Sequence, residues 1–117
     1  MISVTVFVDS EHQYESIRML GHAGLADDHQ EGQELVCAAV SALVLNMANS
    51  IEQFTDDLFE ADQDEEAGGF NFRFTDHISP ESRLLMNSLV FGLQNIEEEY
   101  GEPYIKASVR DGLLSSL

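Results

Sequence analysis

The chain has one cysteine, no tryptophan, two prolines and only five basic residues in 117. A single cysteine excludes an internal disulfide and fits a reducing compartment, so a cytoplasmic protein is expected. No uninterrupted apolar run reaches the ~18 residues of a membrane span. The first eight residues alternate like a strand and lack the basic region and small-residue cleavage site of a signal peptide. A phosphate-cradling glycine loop, a basic patch and a serine elbow are all missing. No repeat, linker or low-complexity stretch divides the chain, so one domain over residues 1–117 is expected.

What is abundant is negative charge. Twenty-two acids against five bases give a formal net charge of −17. Such a surface disfavours nucleic acid and anionic membrane and favours encounter with basic partners. Solubility or adaptation to salt accounts for the same composition.

Hydrophobic patterning sets the architecture. Ile2, Val4, Val6 and Val8 alternate with Ser3, Thr5 and Phe7, a strand; Asp9 to His12 is a turn, and residues 13–20 form a second, weaker strand. Residues 34–53 carry Val36, Val40, Leu43, Met47 and Ile51 at helical spacing, broadened by Leu35, Ala39, Val44 and Ala48. Such a helix is expected to be buried on more than one side. Residues 54–60 and 69–75 read as a strand pair, and the acidic run from Asp62 to Gly69 between them as a solvated turn. That run lacks the spacing and central glycine of a calcium loop. Ser79-Pro80 starts a second helix with a cap and a first-turn proline, Leu85, Leu89, Leu93, Ile96 and Tyr100 mark its face, and Gly101 stops it. Residues 104–109 close the chain as a strand. The order β-β-α-β-β-α-β predicts an α+β domain, a mixed or antiparallel sheet with two helices packed on it.

Candidate chemistry centres on Cys37, in the first turns of the first helix, where backbone amides and the helix dipole favour an anion. A thiolate there can act as a nucleophile, and the same amides can hold an oxyanion. The alternative is an inert core cysteine. His22, between Gly21 and Ala23-Gly24, is placed as a base; a surface turn histidine is the plainer reading. Glu34 orients His22, caps the helix or meets a basic substrate, and Ser41, one turn after Cys37, supports the site or allows close packing. His12, His22 and His29 have no metal-site spacing, so no metal is expected.

The stretch Gly21-His22-Ala23-Gly24, a glycine-containing loop, and Gly32-Gln33-Glu34-Leu35-Val36-Cys37-Ala38-Ala39-Val40-Ser41 resembles the signature of the ribosomal-processing cysteine protease Prp family, G-H-A followed by G-x-D-x-V-C-A-x-x-S. The likeness extends to Met1-Ile2, to 49–52, to Gly68-Gly69 and to 96–100. It implies a Cys37–His22 dyad without a cofactor. It also implies supporting positions Gly21, Ala23, Glu34, Ala38 and Ser41, a homodimer, and removal of an N-terminal extension from a basic protein of the large ribosomal subunit. Two departures stand out: Glu34 replaces the family's aspartate, and the loop between histidine and cysteine is longer. Residues 25–33 are accordingly expected to act as a lid. Two other readings compete: an acidic binding protein with a buried cysteine, and a redox-sensing thiol that lacks a second cysteine to resolve it.

Overall fold

The structure, a computed structural model, describes residues 1–21, 32–64, 69–101 and 104–111. Its elements are β1 (Ile2–Val8), β2 (Tyr14–Leu20), α1 (Gln33–Phe54), β3 (Phe59–Asp64), β4 (Gly69–Phe74), α2 (Pro80–Tyr100) and β5 (Ile105–Asp111). The five strands form one sheet in the order β3-β4-β2-β1-β5. β1 pairs antiparallel with β2 and parallel with β5, so the sheet is mixed as expected.

Period-two patterning decides which face is buried. Ile2, Val4 and Val6 on β1, Ile17 and Met19 on β2, Phe70, Phe72 and Phe74 on β4 and Ile105 on β5 meet the buried residues of both helices in one core. Phe72 anchors it, stacked on Phe59 at 4.8 Å and edge-on to Phe74 at 5.0 Å. Among the described residues the opposite face carries no helix. Its outward positions hold Arg18, Arg73, Lys106 and Arg110, four of the five basic residues, beside Ser3, Thr5 and Asn71.

The β1–β2 turn is tied by Asp9, whose Oδ1 accepts from the amides of Glu11 (2.8 Å) and Gln13 (3.0 Å). A register shift between Phe7 and Val8 leaves Glu15 as an extra residue on β2. Burial raises Glu15 above its ordinary value, Asp9 and Asp111 add to this, and Arg73 opposes it.

Two expectations are corrected. Residues 54–58 are not strand: Phe54 completes α1, and β3 runs from Phe59 through Asp64, into the segment read as an acidic turn. Asp62 belongs to a cross-strand pair, its Oδ1 accepting from Asn71 at 3.3 Å, and the charges suit an exposed edge strand. Second, the buried stripe of α1 is narrower than expected. Leu35 and Ala39, placed in the broadened stripe, are exposed because they lie on the side away from sheet and α2, whereas Val44 and Ala48 are buried. By length and mean composition alone α1 could cross a bilayer, although polar residues interrupt its apolar run. Its apolar stripe from Val36 to Ile51 is instead part of the core.

α2 begins and ends as expected. Ser79 caps it, accepting from the Ser82 amide at 3.2 Å, and Gly101 closes it at φ 57°. Asp57 extends the cap, accepting from the Ser79 amide (3.0 Å), the Ser79 hydroxyl (2.6 Å) and the Ser82 hydroxyl. Burial alone would raise Asp57, but these hydrogen bonds and the charge of His77 outweigh it and hold the carboxyl below its ordinary value. Glu97 sits where the helix dipole disfavours it, yet its Oε2 accepts from the Ala107 amide at 2.6 Å. That charge-assisted bond offsets the dipole cost and fastens α2 to β5.

Candidate active site

One end of the sheet gathers the start of β1, the end of β2, the start of β5 and the first turn of α1. Gly21, at φ 77°, turns the chain out of β2 against Met1; a Cβ there would stand 2.7 Å from the Met1 carbonyl oxygen. Only glycine fits that approach without displacing backbone. The Tyr104 carbonyl accepts from the Ile2 amide at 2.9 Å, joining β5 to β1 at the same level.

α1 starts at this junction. Gly32 is its N-cap at φ 92° with no side-chain cap, and the intrahelical ladder opens with the Val36 N–H to the Gly32 carbonyl at 3.1 Å. Gly32 has no side chain with which to cap the helix, and Glu34 places its charge in the favourable first turn.

Cys37, one turn further, faces the core and is 0% exposed. Its sulfur has a polar partner: the Gln33 side-chain amide donates to Cys37 Sγ at 3.1 Å and to the Tyr104 carbonyl at 3.3 Å. Because that carbonyl can only accept, it requires the NH2 side of the amide to face the pair. Ser41 is nearly buried on the same helix face, and Ala38 is exposed beside Glu34. His22 and Ala23 lie outside the described residues, as do residues 25–31 of the expected lid.

Both histidines within the described residues lie at the other end of the sheet. His12 is in the β1–β2 turn; His77 follows β4 where Arg73 pairs with Ser16. Among the described residues no group of three or more His, Cys, Asp or Glu could hold a metal. Two grooves also lie away from Cys37. One, of about 240 Å³, includes Arg18, Glu60 and Arg73 on the open face; the other, of about 270 Å³, lies between α1 and β3 beside Asn49 and Phe59.

Gln33 escaped the sequence reading. The signal was present, a polar residue four before the cysteine and so on its helix face, but its second partner is 71 residues away.

The family model for cysteine protease Prp matches residues 1–106. The ribosomal processing cysteine protease Prp of Staphylococcus aureus is 35% identical over 103 residues, covering 87% of this chain and 93% of that protein. The crystal structure of an essential ribosomal processing protease Prp from S. aureus with a substrate peptide superposes with a TM-score of 0.84 at 31% identity, over 93% of this chain and 99% of that one. A second, with a covalently linked product peptide, gives a TM-score of 0.79 at 32% identity over the same shares. With the fold, the extent of the match and the identity in agreement, the chain belongs to the Prp family of cysteine proteases.

Proposed function

We propose that this protein is a ribosomal-processing endopeptidase in which Cys37 is the nucleophile and His22 the general base. The observation that carries the reading is simple: a member of a cysteine protease family with a single cysteine has one candidate nucleophile. Gly21 supports the choice of base, since it ends β2 beside Met1 at the Cys37 end of the sheet, and His22 is the next residue. In this reaction His22 takes the thiol proton and the thiolate attacks the scissile carbonyl. Amides at the start of α1 hold the oxyanion, and the imidazolium protonates the leaving amine. Water then hydrolyses the thioester. Substrate binding must uncover the sulfur, because it is fully buried here. Gly21, Ala23, Glu34, Ala38 and Ser41 form the supporting set of this reading.

The substrate is the N-terminal extension of a basic large-subunit ribosomal protein, met in the cytoplasm. Charge supports this choice. Four of the five bases sit on the open sheet face, leaving Arg83 alone elsewhere in a chain of net charge −17. The helix side, where Cys37 lies, therefore presents a strongly negative field to a basic chain. A homodimer is part of the proposal, supported by exposed Leu35 on α1 and by Leu84 and Phe91, seven apart on one face of α2. Light scattering of Phe91→Glu should report the loss of a dimer found in the wild type; a wild-type monomer would refute it.

Mass spectrometry of a precursor peptide incubated with the protein tests the activity. One cut, abolished by Cys37→Ser, is expected. Cleavage by Cys37→Ser would refute the assignment, and no cut by wild type would favour the acidic binding protein with a structural cysteine.

A further inference from the structure

We propose that Gln33 is a positioning residue for the Cys37 sulfur, fixing it at the start of α1 and presenting an N–H to the charge it acquires. The inference rests on Cys37 being the nucleophile. Three observations carry it. The amide nitrogen is 3.1 Å from Sγ, within reach of a hydrogen bond to sulfur, and the contact is buried. The same nitrogen donates to the Tyr104 carbonyl at 3.3 Å, so the orientation of the amide is dictated by a group that can only accept. Finally, that carbonyl is itself held by the Ile2 amide at 2.9 Å, which anchors Gln33 to the sheet rather than to its own helix.

The consequence follows from the change in the sulfur. A thiol is a weak acceptor and a thiolate a strong one, so an N–H in place beforehand favours the anion over the thiol. While the sulfur is covered, as it is here, no solvent donor competes with it. The amide needs no reorganisation when the thiol proton leaves, because its second proton already binds Tyr104. The helix start and Gln33 thus act on the same atom, one through its dipole and one through a direct bond.

The test uses Gln33→Met, which keeps length and removes the donor, and Gln33→Glu, which keeps shape and replaces it with an acceptor. Iodoacetamide labelling of Cys37 is followed against pH, beside the pH profile of cleavage and the thermal midpoint. Expected is a labelling midpoint about 1 pH unit higher in Gln33→Met, further up in Gln33→Glu, and kcat about tenfold lower at neutral pH with KM little changed. Unmoved labelling and cleavage profiles in both variants would overturn the proposal, as would a loss that only follows thermal stability. A measurement on the wild type covers the case of poorly folded variants. The Gln33 side-chain amide resonance should move with the labelling midpoint and be insensitive to pH in Cys37→Ser; no movement in the wild type would also overturn it. Cleavage by Cys37→Ser, by contrast, would remove the nucleophile assignment itself.

Discussion

Replacing Gly21 with alanine should damage catalysis more than it damages the fold. Gly21 has φ 77°, and a Cβ would meet the Met1 carbonyl oxygen at 2.7 Å. The left-handed backbone costs an alanine about 1–2 kcal/mol. Ordinary contact begins near 3.4 Å, so Gly21 or the start of β1 must shift by roughly 0.7 Å, with an overpacking cost of about 1–3 kcal/mol. A total of about 2–5 kcal/mol lowers the melting temperature of a domain this size by roughly 8–30 °C. The displaced backbone adjoins the proposed base, and misplacement on that scale costs up to ~100-fold in rate. Phe74→Ala is the control, because Phe74 is buried at the opposite end of the sheet and its loss costs a comparable ~3–5 kcal/mol. Urea titration fixes conditions in which both variants are folded, and kcat/KM is then measured on the precursor peptide. Gly21→Ala should lose about 10–100-fold while Phe74→Ala keeps near wild-type activity. Equal losses in the two, or full activity in Gly21→Ala, would show that the Gly21 backbone does not position the proposed base.

Other outcomes follow from the ties that hold the helices. Asp57→Asn should destabilise the fold by about 1–2 kcal/mol at neutral pH, since it weakens the Ser79 and Ser82 cap. The depressed folded value means that this contribution is present above the ordinary value of 3.8 and is lost as pH falls below it, so variant and wild-type melting curves should converge in acid. Glu15→Gln should do the reverse: a carboxyl raised above 4.5 costs stability when ionised, so the variant melts higher at neutral pH, and the gap closes as pH falls. Glu97→Ala should cost about 1.5–3 kcal/mol and speed hydrogen exchange at the Ala107 amide, with Glu97→Gln losing less because an acceptor remains.

Local signals carried most of the architecture. Alternation in Ile2–Val8, the Ser79-Pro80 start and the Gly101 stop each report a requirement confined to a few residues, and all three match the structure. The strand after α1 is hard to place from sequence because Phe54 and Leu58 invite a strand reading, yet both are exposed; pairing with β4 sets β3 at Phe59–Asp64. Leu35 was misassigned for a related reason, since the spacing of apolar residues cannot say which side of a helix the sheet covers. At the site, Cys37 was legible as the lone cysteine in a recognisable motif. The role of Gln33 was not, because it depends on Tyr104, brought alongside only when β5 pairs with β1.

The proposed reaction passes through a thioester at Cys37, which can be captured during turnover. Wild-type protein is mixed with precursor peptide, quenched in acid during turnover, and analysed by intact and fragment mass spectrometry. An acyl fragment of the peptide is expected on Cys37, with neither adduct nor cleavage in Cys37→Ser. An acyl group on another residue, or cleavage by a protein whose Cys37 is never modified, would contradict it.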